Sequence, residues 1–530
     1  MAIFDSRAPT VSDKIGFNRR FYAGNLEKVF TPTSDDELVA AVTQASTPEQ
    51  AGEDPGVRIV SGRHCYENFV FNATSKSLID CIGLDGVGQH PDRGYFVEAG
   101  ASNWSSFTRL NALFGKCLPG GSCYSVGIGG HVSGGGYGLL SRLQGLTVDW
   151  VTGVDIVLTP APGKAELHHV DAATEPELFW ALKGAGGGNF GAISRFYFKE
   201  LPDSLDTAAI LTLAIPWQDI PDAEALGNLA ESLYNFVPPD RMDWFGITKF
   251  NHQLKSGSEI SGTIDFLVQL ANAGIEDSGI EDAVAVLFRE LSGSGFRIHK
   301  RPTSLYGQSV LGERLSLIGN TSSAQFFSFH DAVQTLNGSG SNQYSKYKSA
   351  YHKAVFSPEQ FEPLFEGLTE YPTYDGEPVD MSSAWIQADS YGGEINSVDP
   401  AATPIWQRQS TMKLQYQCHW DSPAPISTPD TNLSDVYVDW IDRMYHAVYQ
   451  DTGGWPDPYY NDDPDSSPYQ GCYYNYCDND LGTNEQGVGA IDFAMQMYFG
   501  KDNYSRLLDV KKQYDPHNIW NSAQSVPLRT

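Results

Sequence analysis

The residues of this chain best suited to chemistry gather around glycine. The stretch Pro119-Gly-Gly121-Ser122-Cys123-Tyr-Ser-Val126-Gly127-Ile-Gly129-Gly130-His131-Val-Ser-Gly134-Gly-Gly-Tyr-Gly138 sets a thiol and an imidazole among residues without a Cβ. Glycine admits positive φ and lets backbone N–H groups approach a ligand closely. Successive N–H groups also make an anion-binding concavity. Such a loop suits an anionic or planar cofactor. No Gly-Lys-Ser/Thr follows, so it is not a P-loop, and no acidic residue about twenty positions on, in a βαβ context, completes a dinucleotide fingerprint. A second glycine loop is Lys183-Gly-Ala-Gly-Gly-Gly-Asn189-Phe190-Gly191. Farther on, Gln387 and Asp389 are spaced i, i+2, and so are Gln415 and Gln417. On strands each pair faces one side. Amides both donate and accept, which suits hydroxyl-bearing ligands.

The 530 residues are enough for two or more domains with sizeable cores. Acidic residues outnumber basic ones 65 to 35, for a formal charge of −30. Nucleic acid and anionic membranes need basic patches, so this balance argues against both. No run of eighteen apolar residues occurs, and no signal-type apolar segment is visible near Met1. A soluble protein is expected, secreted or cytoplasmic undecided, monomer or homodimer. The seven cysteines are an odd, scattered set and not a disulfide framework. No metal-type spacing appears. Sequons stand at Asn72, Asn103, Asn320, Asn337, Asn432 and Asn503.

The positioning elements follow from periodicity. Short strands are expected at Val29, Val57–Val60, Ser77–Ile82 and Tyr95–Glu98. Ser34-Asp-Asp-Glu37 reads as a capping box for a helix carrying Leu38, Ala41, Val42 and Ala45. A helix capped by Asn103 runs to Phe114. Leu146–Trp150 and Val154–Leu158 read as strands, Glu175–Leu182 as a short helix, and Ala192–Phe198 as a strand. Beyond Leu201-Pro-Asp the chain mixes alternating strands such as Ala209–Ile215 with amphipathic helices such as Asp282–Leu291. The tail from Gly489 is helical to Tyr514.

Four motifs together carry a resemblance. They are Ser61-Gly62-Arg63-His64-Cys-Tyr-Glu, the Cys123 glycine stretch, Leu178-Phe-Trp-Ala-Leu-Lys-Gly-Ala-Gly-Gly-Gly-Asn-Phe-Gly, and Tyr473-Tyr-Asn475-Tyr476-Cys-Asp-Asn-Asp-Leu. They resemble the berberine-bridge-enzyme-like flavin oxidases of the vanillyl-alcohol-oxidase and p-cresol-methylhydroxylase type, nearest the carbohydrate oxidases. Asn337-Gly-Ser-Gly-Ser-Asn-Gln, Lys346-Tyr-Lys348-Ser-Ala-Tyr351, Gln387-Ala-Asp389 and Leu-Gln415-Tyr-Gln417 add to the likeness, which spans about residues 16 to 527.

The resemblance implies an α+β, two-domain fold. An FAD-binding domain (1–204, completed by 467–530) would enclose a substrate domain (205–466) built on an antiparallel sheet flanked by helices. It implies FAD attached twice, through His64 to the 8α carbon and Cys123 to C6. Ser61, Gly62, Arg63, Gly121, Ser122, Val126, Gly127, Gly129, Gly130, His131, Gly134, Asn189, Phe190, Gly191 and Asn475 would line the cofactor. The family commonly has glycine where Arg63 stands, and the guanidinium is expected on phosphate. Val126, three residues after Cys123, matches a position gating oxygen. Tyr476 would be the catalytic base, assisted by Asp389. Gln387, Gln415, Gln417, Tyr351, Lys348 and Tyr473 would bind substrate. The implied reaction oxidises the anomeric C1–OH of a mono- or oligosaccharide to the lactone, C1–H passing as hydride to flavin N5 and O2 becoming H2O2. Rival readings are a tailoring oxidase for a glycosylated natural product, a sugar dehydrogenase with another acceptor, and a non-catalytic sugar-binding protein that kept the fold.

Overall fold

A computed structural model describes residues 5–48, 50, 53–271, 279–300, 317–320, 323–335, 343–425, 427–428, 430–461, 463–483 and 490–529. Residues 337–342 of the Asn337 motif and Gly489 lie outside the described residues.

The chain begins with three short parallel strands in the spatial order Lys28–Phe30, Ser77–Asp80, Val57–Val60. Helix Asp35–Ala45 covers them. Its buried residues Leu38, Ala41, Val42 and Ala45 recur at helical spacing on one face. Ser34 accepts from Glu37 N, but the Glu37 carboxylate turns to the Thr33 N–H and hydroxyl, so the expected box is shifted by one residue. The next helix, Asn103–Phe114, is capped by Ser102 rather than Asn103. A five-stranded antiparallel sheet follows, in the order Val87–His90, Gly94–Glu98, Ala192–Phe198, Gly153–Ala161, Lys164–Asp171. Leu146–Trp150 is not a strand. It holds a single helical turn, Thr147–Trp150, because the Asp149 carboxylate accepts the Leu146 N–H.

Residues 207–420 supply a second, antiparallel sheet, nine-stranded among the described residues. Its central run is Thr207–Pro216, Thr263–Ala271, Trp244–Asn251, Ala384–Ser390, Met412–Trp420 and Tyr344–His352. Helices Ala223–Asn235, Pro358–Thr369 and Thr431–Val448 pack as a layer on one face. The stripe Tyr437, Trp440, Ile441, Met444, Tyr445, Val448 buries the last of these. Burial of this kind contributes about 1.5–3 kcal/mol per large side chain. Tyr344–His352 and Met412–Trp420 are buried at every position. A sheet covered on both faces requires this, and it draws even Lys346, Lys348 and Lys413 out of water.

The tail returns to the first sheets. Ile519 and Trp520 share a core with Phe30, Leu38, Val42 and Val157. The Trp520 indole donates to Thr159 Oγ1 at 3.1 Å, and Arg506 pairs with Glu177 at 2.6 Å. Chain ends far apart in sequence therefore close one core, with the Tyr473–Tyr476 segment between them and the second sheet.

Candidate active site

Two backbone loops form one wall. The first follows strand Val57–Val60, and Arg63 takes a left-handed φ of 59° there, a conformation open to glycine at little cost. The guanidinium donates to Ser12 O at 2.7 Å, Asp13 Oδ1 at 3.2 Å and Asp80 Oδ2 at 2.5 Å. It is committed to two carboxylates, which corrects the expectation of a phosphate ligand. The second loop abuts the first closely. A Cβ on Gly62 would drive into the Gly127 nitrogen and the Ser125 carbonyl, and one on Gly127 into Ser61. Ser61 Oγ donates to Ala99 O at 2.5 Å. The Ala99 and Ala101 carbonyls accept the N–H groups of Gly129 and Ile128, both at 2.8 Å. The Asn103 N–H reaches Val126 O, also at 2.8 Å.

These contacts bring His64 to the Cys123 loop. The His64 ring stacks on Phe17 at 4.8 Å, with Nε2 2.9 Å from Ser125 Oγ. Burial lowers its pKa to about 4, so the imidazole is neutral near pH 7 and keeps a nucleophilic nitrogen. His131 is held the same way: burial, then the Lys413 charge, lower it to about 4, and its Nε2 accepts the Gly121 N–H at 2.9 Å. Asn475 docks the C-terminal segment here. Its amide donates to His131 O at 3.1 Å and lies where a Cβ on Gly134 would fall. Asn189, fully buried, donates to Tyr474 Oη and Ala185 O, both at 2.8 Å, and accepts the Val526 N–H at 2.9 Å. It ties the second glycine loop to the tail. Phe190 lies wholly in the core, and a Cβ on Gly191 would strike Val157 O. The Phe190 side chain thus packs in the core, and Gly191 lets the loop approach the strand Gly153–Ala161 closely.

The opposite wall is one face of the second sheet. Register sets Gln387 opposite Gln415 and Gln415 opposite Ser349. It sets Asp389 opposite Lys413 and Lys413 opposite Tyr351. Gln387 Nε2 donates to Asp389 Oδ1 at 2.8 Å, Gln415 Nε2 to Tyr66 Oη at 3.2 Å, and Gln417 Nε2 to Gln415 Oε1 at 3.4 Å. The amides form a connected polar row. Tyr351 lies on this face but is buried edge-on against Tyr391 and Tyr473. Lys348 points the other way, by strand alternation. Its ammonium is 2.9 Å from Asp442 and 2.8 Å from Asp478, fully buried. It is a structural cation, which corrects the expected substrate contact.

Lys413 and Tyr66 were missed by sequence reading. Lys413 Nζ sits 3.9 Å from the Tyr476 ring centroid, 4.5 Å from that of Tyr137 and 5.2 Å from that of Tyr473. It lies 3.7 Å from Asp389 Oδ2 and makes no hydrogen bond among the described residues. Burial lowers its pKa to about 8, and Asp389 resists that shift. Burial raises Asp389, while Lys413 and Gln387 pull it back. Tyr476 is pushed well above an ordinary phenol by burial and by Tyr66, Asp389, Tyr473 and Cys123. Tyr66, two residues after His64, stacks on Tyr347 at 3.7 Å and lies 5.6 Å from the Tyr476 ring. The i−2 spacing of Lys413 from Gln415 would have found it.

The arrangement fits a flavin dinucleotide. Gly130 leaves open space where a Cβ would stand, the buried Asn103 Nδ2 beside Gly121 lacks a partner among the described residues, and His64 Nε2 reaches Ser125, two residues after Cys123. Among the described residues no His, Cys, Asp and Glu group could hold a metal, and no helix is long and apolar enough to cross a membrane.

Comparison with known proteins agrees. Residues 26–165 match the FAD binding domain family, and residues 472–527 match the family described as berberine and berberine like. The chain is 35% identical to hexose oxidase of Chondrus crispus, covering 99% of this chain and 94% of that protein. It is 28% identical to aclacinomycin-N/aclacinomycin-A oxidase of Streptomyces galilaeus, covering 96% and 86%. Among solved structures it is similar to GilR, an oxidoreductase that catalyses the terminal step of gilvocarcin biosynthesis, with a TM-score of 0.82, 25% identity, and 99% and 100% coverage. The α+β FAD-binding architecture expected from the motifs is the one observed.

Proposed function

We propose that this chain, which belongs to the berberine-bridge-enzyme-like FAD-dependent oxidoreductases, oxidises the anomeric C1–OH of a mono- or oligosaccharide to the lactone with O2 as acceptor. The observation that carries the reading is Tyr476 over the Lys413 ammonium, beside Asp389, at the end of a row of amides. FAD, when bound, supplies the two-electron acceptor and hands the electrons to O2, giving H2O2. His64 and Cys123 are its proposed covalent anchors. The glycine backbone of residues 121–134 holds it, and Val126 borders the oxygen side. Residues 1–204 with 467–530 form the cofactor half, and residues 205–466 the substrate half.

Tyr476 takes the proton of the C1 hydroxyl. An ordinary phenol near pKa ~10 is a poor base at neutral pH, and burial makes this one poorer. The ammonium against its ring offsets that by favouring the phenolate electrostatically. Asp389 holds Lys413 charged and in place. Gln387, Gln415, Gln417 and Tyr473 orient the sugar hydroxyls, and the buried aromatic walls exclude water. Similarity to a hexose oxidase supports a sugar substrate.

A second reading has a specific observation behind it, the likeness to aclacinomycin oxidase and to GilR. In that case the substrate would be a glycosylated or polycyclic natural product. One assay separates the two: peroxide release from a panel of mono- and disaccharides, with Tyr476→Phe as control. The variant is expected to lose about 10²–10⁴-fold in rate. If no sugar yields peroxide above that variant, the sugar reading fails. Denatured mass of the wild type, His64→Ala and Cys123→Ala tests the tethers. Each single variant keeps flavin through the other anchor, and the double variant releases it.

A further inference from the structure

We propose that Cys65 and Cys477 form an oxidisable dithiol beside the active site, which hydrogen peroxide converts to a disulfide joining the His64 loop to the Tyr476 segment. Cys65 lies between His64 and Tyr66, and Cys477 directly follows Tyr476. Although 412 positions apart in the chain, their sulfurs are 4.0 Å apart. Cys65 is half-buried and Cys477 is buried. Disulfide formation at ~2.05 Å needs about 2 Å of sulfur movement.

The other core cysteines differ. Cys81, Cys117, Cys418 and Cys472 are buried, and burial pushes each thiol up to about 12. The contacts of the last three run to oxygen: Asp203 O and Gln144 for Cys117, Tyr437 O for Cys418, Tyr445 Oη for Cys472. Cys65 Sγ also donates to Glu67 O at 3.3 Å, but it differs from those four in facing a second cysteine sulfur, that of Cys477. Cys65 is the more exposed of the two, half-buried where Cys477 is buried, so it is assigned as the attacking thiol and Cys477 as the resolving thiol.

The step balances. Cys65 sulfur attacks one peroxide oxygen, forming S–O and breaking O–O, and the departing hydroxide takes a proton to become water. The Cys477 sulfur then attacks the Cys65 sulfenic acid, forming S–S and breaking S–O, and water leaves with the Cys477 proton. Two thiols are oxidised and one H2O2 is reduced to two waters. That the peroxide arises in the same site rests on the oxidase reading; the sulfur chemistry does not. The product braces the flavin-anchoring loop against the segment that bears the base.

The test is a peptide map of reduced holoenzyme exposed to added H2O2, then denatured and alkylated without reductant. The expected result is a linked peptide containing Cys65 and Cys477, and a thiol count lower by two. In Cys477→Ser, dimedone should trap a Cys65 sulfenic acid. Recovery of both cysteines alkylated, or separately oxidised to sulfinic acid with no linked peptide, overturns the proposal. A parallel sample receives sugar and air, with and without catalase. A link with added peroxide but none with sugar upholds the dithiol and counts against the sugar-oxidase reading.

Discussion

Lys413 is a buried cation whose surroundings are three phenol rings and one carboxylate. Its pKa of about 8 stands below the ordinary lysine value. The folded chain therefore binds fewer protons than the unfolded chain between about pH 8 and 10.5. Unfolding free energy contributed by this group rises with pH through that window, and its cost, about 3 kcal/mol at most, is fully in place below pH 8. A chain that carries such a cost in a cleft gains function from it. If the ammonium is what makes Tyr476 a base, kcat/KM falls as pH climbs past about 8. Asp389, raised by burial, sets an acid limb above the usual carboxylate range. Lys413→Met is expected to lower kcat/KM by about 10²-fold and erase the alkaline limb. Lys413→Arg, charged at every accessible pH, should move that limb beyond pH ~10. A limb that stays near 8 in both variants would mean that another group titrates there. At this scale much of the site was legible. Gln387, Asp389, Gln415 and Gln417 share a face because strands alternate, and the same rule places Lys413 with them and Lys348 on the reverse. Lys348 was misread because its partners, Asp442 and Asp478, lie far along the chain.

Between elements, backbone contact does what side chains do elsewhere. A Cβ on Gly62 would strike the Gly127 nitrogen, and one on Gly127 the Gly62 nitrogen, so the backbones approach with no space for a methyl group, and that approach sets the spacing of the two loops proposed to anchor the flavin. Gly62→Ala is therefore expected to fold its sheets but lose flavin. The visible absorbance per polypeptide should drop several-fold, while the far-ultraviolet dichroism changes little. Full flavin loading in that variant would contradict the role given to the contact. Arg63 belongs to the same junction, since its left-handed φ is held by Asp13 and Asp80. Its neighbour-independent reading as a phosphate ligand failed for that reason. Periodic elements such as Asp35–Ala45 and Gly153–Ala161 were readable because burial on one face or both leaves a pattern in sequence. Caps and single turns were not. Ser102 rather than Asn103, and the turn at Thr147–Trp150, depend on which side chain wins one N–H.

Across the whole molecule, a formal charge of −30 spreads repulsion over the surface, while the joint between its parts is made of paired charge in the interior. Asp478 lies 2.7 Å from Lys346 Nζ and 2.8 Å from Lys348 Nζ. Glu67 and Asp480 also meet Lys346, at 2.8 and 2.5 Å. The Asp478 backbone carbonyl accepts Gln524 Nε2 at 2.6 Å, and its N–H reaches Tyr498 Oη. One residue thus links the second sheet, the segment after Tyr476 and the C-terminal tail. Removing one partner from a buried ion pair costs about 3–5 kcal/mol. The remaining carboxylates reduce that here, so Asp478→Asn is expected to lower unfolding free energy by about 2–4 kcal/mol. Salt distinguishes the two kinds of electrostatics. Surface repulsion is screened over ~10 Å at 0.1 M ionic strength, but a buried pair is screened little. Raising NaCl should therefore raise the urea midpoint of the wild type, because self-repulsion relaxes. The gap between wild type and Asp478→Asn should stay constant across the same salt series. A gap that closes with salt would place the Lys346–Lys348–Asp478 cluster in contact with solvent and remove its claim to hold the parts together.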